Sequence, residues 1–90
     1  GQLAIDYRLD LHGMTREEAY EQLGTSIATS WEAGRRVILV ITGKGQGILR
    51  DAVPRWLNEG SNRRRIIAFC VAQPKHGGGG ALYVLLKRRR

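Results

Sequence analysis

The sequence predicts an α/β fold: a two-layer βαβαββ sandwich, with a mixed four-stranded sheet and two helices. Three observations predict it. Strand-like and helix-like apolar patterns alternate along the first two thirds of the chain, two strand-like runs follow near its C-terminal end, and glycine-rich loops separate several of them. A chain of 90 residues, 42% of them hydrophobic, can bury the core of one small domain but not of two. We therefore expect a single domain over residues 1–90, and residues 1–8 are compatible with the tail of a longer N-terminal region.

The first strand is predicted over residues 5–12, where apolar and polar side chains alternate as in a strand with one buried face. Thr15 and Glu18 have the spacing of a capping box, which marks the start of a helix. Gly34 is suited to end that helix in a left-handed conformation. The apolar stripe of the helix recurs every four residues, at Ala19, Leu23, Ile27 and Trp31.

The second strand is predicted at residues 37–41, an unbroken apolar run typical of a strand covered on both faces. A second helical stripe follows the loop of residues 42–47 and ends near Gly60. Its members are Ile48, Leu49, Ala52, Val53, Trp56 and Leu57. Pro54 interrupts this stripe, and because proline lacks an N–H we expect it in the first turn of a helix that is short or bent at its start.

The third and fourth strands are predicted at residues 66–71 and 81–86, on either side of a loop with four consecutive glycines. The first three strands are joined through helices and should run parallel with right-handed crossovers. The last connection is short, so the fourth strand should turn back antiparallel. We expect the helices mainly on one face of the sheet, the first strand at an edge or half-covered, and the second at the centre.

The charge balance favours a polyanionic partner. There are 15 Lys and Arg against 8 Asp and Glu, giving +7, and nucleic acid is the commonest partner of so basic a domain. The bases cluster at residues 35–36, 63–65 and 87–90. For any one cluster the alternative is a solvated strand flank or a frayed tail, but three clusters together weaken that alternative.

The single cysteine, Cys70, excludes an intrachain disulfide and lies in an apolar run, so we expect a small buried side chain rather than a reactive thiol. One unpaired cysteine favours a reducing compartment, and we expect a cytoplasmic protein. The apolar runs, such as residues 37–41, are too short to span a membrane, and no signal peptide is visible. We expect no membrane partner, and the sequence gives no indication of the oligomeric state.

Asp10 and His12 are the most informative pair of polar residues. At the end of a strand they share one face, roughly 6.5–7 Å apart along the backbone, where open α/β sheets bind ligands. The loop of residues 42–45 follows the next parallel strand and emerges at the same rim. Its glycines let backbone N–H groups approach an anion, Lys44 adds a positive charge, and the following helix adds its positive dipole end. This arrangement favours a phosphate site, against the alternative of a sharp turn with a surface lysine.

We predict that Asp10, His12 and Lys44 are catalytic. Phosphate or nucleic-acid contacts are predicted for Gly13, Thr42, Gly43, Gly45, Gly47, Arg35, Arg36, Arg50, Arg63, Arg64, Lys75, His76, Gly78 and Gly79. His76 receives less weight than His12, because a lone loop histidine is more often exposed and idle. The glycine spacings exclude a nucleotide P-loop and a dinucleotide fingerprint. The spacing of the two histidines and the cysteine argues against zinc.

Three segments together resemble the Smr domain, the small MutS-related module, in its stand-alone bacterial type. They are Leu-Asp-Leu-His-Gly at residues 9–13, Thr-Gly-Lys-Gly at 42–45, and the glycine-rich loop running into Ala81. The resemblance extends over about residues 9–87. This sequence departs at two positions: many members carry His where Thr42 stands and Thr where Leu82 stands.

The resemblance implies a fold similar to the C-terminal domain of bacterial initiation factor three. It also implies nucleic-acid binding and, in several members, endonuclease activity that nicks DNA or cleaves RNA. It gives importance to Asp10, His12 and the loop of residues 43–45. A role for a histidine at position 42 is absent here.

The first hypothesis is therefore an endonuclease without strong sequence specificity that acts on DNA or RNA. His12 would transfer a proton, Asp10 would orient the imidazole or hold a metal ion, and Lys44 with the loop amides would stabilise charge on the phosphoryl oxygens. The arginine clusters would bind flanking phosphates. RNA carries its own 2′-hydroxyl nucleophile, so a metal-free enzyme should prefer RNA, whereas strong DNA nicking would imply Mg²⁺ or Mn²⁺ at Asp10. No other cofactor is predicted.

Two alternatives remain open from the residues. A non-catalytic nucleic-acid-binding module would use the same rim to hold phosphate, with His12 and Asp10 in structural roles. An enzyme acting on small phosphorylated molecules fits the glycine loop but leaves the arginine clusters unexplained. Trp31 and Trp56 lie on apolar helix stripes, so we expect them in the core rather than as platforms for stacked bases.

Overall fold

One mixed sheet forms the centre of the computed structural model, which describes residues 4–45 and 47–89. Its strands are β1 (Tyr7–Asp10), β2 (Val37–Ile41), β3 (Ile66–Val71) and β4 (Ala81–Leu86), in the spatial order β1-β2-β4-β3. β1 pairs with β2 in parallel, while β4 is antiparallel to both β2 and β3. The first three strands therefore share one direction, and β1 lies at an edge with β2 inside the sheet, as predicted.

The two predicted helices are α1 (Arg16–Glu32) and α2 (Ile48–Leu57), and a third short helix, α3 (Gly60–Arg65), precedes β3. The capping box is present: the Glu18 N–H donates to Thr15 Oγ1 at 3.1 Å, and the Thr15 N–H donates to Glu18 Oε1 at 2.9 Å. Gly34 follows α1 with φ 79°, the left-handed conformation predicted for it. No helix within the described residues is long and apolar enough to cross a membrane.

The expectation that Pro54 lies in the first turn of α2 is wrong. Six helical residues precede it, so Pro54 stands inside the helix, where it leaves the Arg50 carbonyl without its usual helical partner. The helix persists because its neighbours are anchored in the core: Val53 and Leu57 are fully buried. Tertiary packing of the apolar face outweighs the local preference of one residue.

The main core lies between the helices and one face of the sheet. Its largest fully buried side chains include Leu11, Leu23, Ile27, Ile38, Leu57, Ile66 and Leu86. A smaller cluster covers part of the opposite face, around Leu39, Ala72, Ala81 and Tyr83. The helices thus lie on one face, as predicted, and Trp56 is buried in the core while Trp31 packs against it.

Cys70 is exposed, so the expectation of a buried thiol is wrong. It lies on β3, the edge strand opposite β1, opposite Tyr83 of β4. The apolar run around it has an open face because no helix covers that side of the sheet. At the other end of the chain, Ile5 packs against the smaller cluster and Asp6 bonds to the start of β2, so residues 5–8 belong to the domain. Residues 1–3 lie outside the described residues.

Candidate active site

A cleft of about 290 Å³ lies where β1 and β2 end. Three segments line it: residues 12–14 after β1, residues 42–45 after β2, and residues 47–49 at the start of α2. Parallel pairing of β1 with β2 brings their carboxyl ends to the same rim, which we call the cleft rim. The structure therefore brings together most of the strand-end and glycine-loop residues predicted from sequence.

Asp10 and His12 form a hydrogen-bonded pair at the edge of this cleft. Asp10 Oδ1 accepts the backbone N–H of His12 at 3.0 Å and lies 3.2 Å from His12 Nδ1. An ionised carboxylate can only accept, so a hydrogen bond between these two atoms places a proton on Nδ1, and in the neutral imidazole Nε2 then carries the free lone pair. The two side chains are 56% and 70% exposed, which leaves the imidazole accessible to a polymer as well as to a small molecule.

Gly80 fixes the loop of residues 42–45. Its carbonyl oxygen accepts the N–H groups of Thr42 at 2.8 Å and Gly43 at 3.0 Å, and the Thr42 hydroxyl at 3.2 Å. Thr42 is buried and its donors point to Gly80. The predicted direct phosphate contacts of the Thr42 hydroxyl and the Gly43 N–H are therefore corrected, since both groups hold the loop in place.

The loop of residues 42–45 in turn packs against His12. Gly43 adopts φ 80°, and a Cβ built on it would lie 3.2 Å from His12 Cβ. Gly13, with φ 83°, has open space around it. Glycine at position 43 thus allows both the left-handed turn and the close approach to His12.

Positive groups surround the rest of the cleft. Lys44 is exposed on the loop, and α2 begins at the cleft after Gly47, so the positive end of its dipole faces the same space. The Arg50 guanidinium lies beside Gly47, with Nη2 3.3 Å from where a Cβ would be. Asp51 in the first turn of α2 offsets part of this charge. The cleft can hold an anion next to an imidazole.

Within the described residues there is no group of three or more His, Cys, Asp or Glu side chains placed to hold a metal ion. At the cleft rim the potential ligands are Asp10 and the imidazole bonded to it. Magnesium is commonly held by one or two carboxylates together with substrate phosphates. Such an ion would bind at Asp10 only with most of its ligands supplied by substrate and water.

The predicted placement of His76 beside the phosphate site is wrong. His76 borders a separate shallow cavity lined by residues 5–8, on the face of the sheet without helices. Its Nδ1 lies 2.6 Å from the Tyr83 hydroxyl, which also accepts the N–H of Gln73 at 3.1 Å. Lys75, Gly78 and Gly79 belong to the same loop, and none of them lines the cleft.

Apart from Arg50, which lies beside the cleft, the arginines predicted to contact nucleic acid lie at the opposite rim of the sheet. Residues 35–36 precede β2, residues 63–65 precede β3, and residues 87–89 follow the antiparallel β4. Backbone bonds join these segments: the Leu86 N–H donates to Arg36 O, and the Lys87 N–H donates to Arg65 O, both at 2.8 Å. The basic rim, as we call it, consists of Arg35, Arg36, Arg63, Arg64, Arg65, Lys87, Arg88 and Arg89.

Arg36 and Thr42 are six positions apart along extended chain, a distance of roughly 20 Å. The arginines therefore do not line the cleft, and the flanking phosphates predicted to bind them would lie at about this distance from it. Sequence reasoning did not assign Met14, Ile48 or Leu49 to the cleft. It also missed Gly80, which holds the loop beside the cleft. The run of four glycines was its signal, but the contact joins residues 38 positions apart.

Comparisons with known proteins identify the family and the fold of this chain. The family model of the Smr domain matches residues 9–87. Among curated proteins, the chain is 41% identical to "Ribosome rescue factor SmrB" of Vibrio vulnificus over 81 residues, which are 90% of this chain and 44% of that protein. It is 34% identical to the protein of the same name from Klebsiella pneumoniae over 87 residues, 97% of this chain and 46% of that protein. The chain therefore spans less than half the length of these relatives.

Two crystal structures are similar to this fold. The Smr domain of Thermus thermophilus MutS2 has a TM-score of 0.82 at 30% identity, covering 90% of this chain and 98% of that one. YdaL, a stand-alone small MutS-related protein from Escherichia coli, has a TM-score of 0.82 at 35% identity, covering 93% and 69% of the two chains. With the family model matched over residues 9–87 and the fold shared with both structures, the chain belongs to the Smr domain family.

Proposed function

We propose that this domain is an endonuclease that cleaves RNA phosphodiester bonds without strong sequence specificity. The observation that carries the proposal is the Asp10–His12 pair at the edge of a cleft that Lys44 and the start of α2 border. A neutral imidazole with Nδ1 held by a carboxylate presents Nε2 as a proton acceptor, the arrangement that general base catalysis requires. Lys44 and the start of α2 supply the charge that favours a bound phosphate.

The proposed reaction uses the nucleophile that RNA carries. His12 Nε2 accepts the proton of the 2′-hydroxyl as its oxygen forms a bond to phosphorus. The bond from phosphorus to the 5′-oxygen breaks, and that oxygen takes a proton from water, leaving a 2′,3′-cyclic phosphate and a 5′-hydroxyl. Asp10 stabilises the imidazolium formed at His12, which then returns its proton to solvent. Lys44 stabilises the negative charge that grows on the phosphoryl oxygens.

Two considerations favour RNA over DNA as substrate. DNA lacks the 2′-hydroxyl, so its cleavage must recruit water, usually through a metal ion, and Asp10 is the carboxylate at this rim that would hold Mg²⁺ or Mn²⁺. The curated relatives are named ribosome rescue factors. We infer RNA of the translation machinery as the partner class, and the cytoplasm as the place where this domain acts.

Cleavage assays with purified variants test the proposal. The wild-type chain, His12→Ala and Asp10→Asn are incubated with a labelled RNA and with DNA of the same sequence, each with EDTA or with Mg²⁺. We expect RNA cleavage in EDTA that leaves a cyclic phosphate, and a loss of about 100-fold or more in His12→Ala, because general acid–base catalysis contributes about that much. Asp10→Asn should lose less, since the imidazole remains.

Full activity in His12→Ala would rule out the proposed site. An RNA product without a cyclic or terminal 2′/3′ phosphate would exclude the 2′-hydroxyl mechanism and point to metal-dependent hydrolysis at Asp10. RNA bound but cut under no condition would favour a non-catalytic binding module. Arg55→Glu, a change on the exposed side of α2 away from the cleft, is the control for general loss of RNA affinity.

A further inference from the structure

Nearly all of the positive net charge of this chain lies away from the cleft. The basic rim holds eight Lys and Arg side chains, and its acidic neighbours are Asp6 and Glu32. The other described residues carry six basic and six acidic side chains, so their formal charges cancel. The cleft therefore binds a phosphate through local geometry, whereas the long-range attraction of the domain for a polyanion comes from the opposite rim.

Aromatic rings hold two guanidinium groups of the basic rim in place. The Arg35 guanidinium lies over the Tyr7 ring at 4.5 Å and donates from Nη1 to Ser30 Oγ at 3.2 Å. The Arg65 guanidinium lies over the Trp31 ring at 5.3 Å. Both arginines are half-buried. Their positions are set by the fold before any ligand binds, which reduces the entropy that binding must overcome.

Backbone carbonyl oxygens hold two more guanidinium groups of the basic rim in place. Arg36 Nε donates to Leu86 O at 2.9 Å, and Arg63 Nη1 donates to Ile66 O at 3.1 Å. A guanidinium has five N–H donors, so each group keeps most of its donors for an external acceptor. The planar fork of such donors fits phosphate oxygens. Arg64 and Arg88 are exposed, and neither makes a side-chain hydrogen bond or ion pair with another described residue.

We propose that the basic rim is a second contact surface for the sugar-phosphate backbone, one that holds the RNA at a distance from the bond cleaved. This inference rests on the proposed function for the identity of the RNA. The two rims are roughly 20 Å apart along β2, which corresponds to roughly six nucleotides of a stacked strand. An RNA long enough to reach both rims is held by both, and a shorter RNA bound in the cleft is not.

Binding of uncleavable RNA distinguishes contacts at the basic rim from contacts at the cleft rim. The probes are fluorescent 2′-O-methyl RNAs of about 16 and about 4 nucleotides, chosen to lie above and below the spacing of the rims. The variants are Arg64→Glu, the double variant Arg64→Glu/Arg88→Glu, and Arg55→Glu as the matched control. Arg64 and Arg55 are both exposed arginines in the last turn of a helix, so the two single variants change the net charge and the helix dipole alike.

We expect the double variant to bind the long RNA more weakly, with the slope of log affinity against log salt concentration reduced by about 1.4, or about 0.7 for each lost contact to a single strand. Arg55→Glu should keep the wild-type slope, and the double variant should lose more affinity for the long RNA than for the short one. Equal losses in Arg64→Glu and Arg55→Glu would overturn the proposal, because net charge alone would then explain binding. An equal fractional loss of affinity for the short and the long RNA would also overturn it, because a long RNA would then gain nothing from reaching both rims.

Three further measurements complete the test. Thermal unfolding of each variant distinguishes misfolding from loss of an RNA contact. The double variant Arg64→Gln/Arg88→Gln, which removes the two charges without reversing them, is measured as well. Competition by polyglutamate as strong as that by RNA of equal charge would assign the rim to an acidic protein and overturn the proposal. Cleavage by His12→Ala is scored separately: activity there refutes the nuclease mechanism, while the salt slopes still decide the role of the basic rim.

Discussion

The carbonyl oxygen of Gly80 accepts the backbone N–H of Gly43 at 3.0 Å, and a side chain on Gly80 would collide with that same loop. A Cβ at position 80 would lie 3.1 Å from the carbonyl carbon of Gly43 and 3.0 Å from Lys44 Cγ. Gly43 in turn contacts His12. The start of β4 therefore sets the position of the loop that bounds the imidazole, although Gly80 does not line the cleft.

Gly80→Ala should lower both folding stability and cleavage activity. The new methyl group must displace the backbone at Gly43 by a few tenths of an ångström, which we expect to cost about 1–3 kcal/mol of folding stability and about tenfold in kcat/KM. Gly79→Ala is the matched control, because a Cβ there meets nothing within 4 Å. Rates for the two variants on one RNA substrate, with their thermal unfolding curves, check the prediction. Equal activity in both would contradict it.

Gly43→Ala and Gly13→Ala should separate backbone strain from displacement of His12. Both glycines have φ near 80°, so each alanine costs about 1 kcal/mol of stability or somewhat more. Only the substitution at position 43 places a methyl group against His12, at 3.2 Å from its Cβ. We expect similar losses of stability and a larger fall in activity in Gly43→Ala than in Gly13→Ala. A comparable fall in both would mean that strain in the rim, not contact with His12, governs the rate.

The secondary structure was predictable because its signals are local. The alternation in β1, the capping box at Thr15 and the apolar run of β2 each lie within one element. Pro54 and Cys70 were misjudged because their environments depend on other elements. The packing of α2 against α1 and the sheet keeps a proline inside a helix, and the position of β3 at an edge exposes a thiol in an apolar run.

The distinction between local signals and contacts with other elements also applies to the candidate site. The approach of Asp10 and His12 to the loop of residues 42–45 followed from two neighbouring parallel strands, which the helical crossover predicts. The position of His76 did not, because its loop is fixed by the hydroxyl of Tyr83 in the following strand. The clustering of the three basic segments at one rim required the antiparallel direction of β4 to be combined with the direction of β2. The sequence shows the three basic segments, but only the strand order and directions show that they lie at one rim.

Asp6→Asn should destabilise the protein at neutral pH and have little effect in acid. Asp6 Oδ2 accepts the N–H groups of Arg36 at 2.8 Å and Val37 at 3.0 Å, and these bonds lower the pKa of Asp6 below its ordinary value of 3.8. A lowered folded-state pKa stabilises the fold above the unfolded value, and that contribution is lost as pH falls below about 3.8 through the folded value.

We expect a loss of about 1 kcal/mol at pH 7 in Asp6→Asn, since the carboxylate is exposed and solvent weakens its bonds. Chemical denaturation of wild type and variant at several pH values measures the difference, which should shrink below pH 3.8. Glu21→Gln, at an exposed position on α1, controls for the change in net charge. A difference that stays constant down to the lowest pH would show that the charge on Asp6 is not what stabilises this end of β1.

Tyr83→Phe should loosen the loop between β3 and β4. The Tyr83 hydroxyl accepts the Gln73 N–H and lies 2.6 Å from His76 Nδ1, so its removal leaves both partners without their bond. An unsatisfied polar group costs about 1–3 kcal/mol when buried, and these partners are only partly buried, so we expect a loss near the lower value. Hydrogen exchange should quicken at the amides of Gln73 and Gly78, whose bonds fix this loop. Tyr20→Phe, which removes a hydroxyl from a 54% exposed side chain, should change neither stability nor exchange. Unchanged exchange in Tyr83→Phe would mean that the glycine-rich turns hold the loop without the hydroxyl.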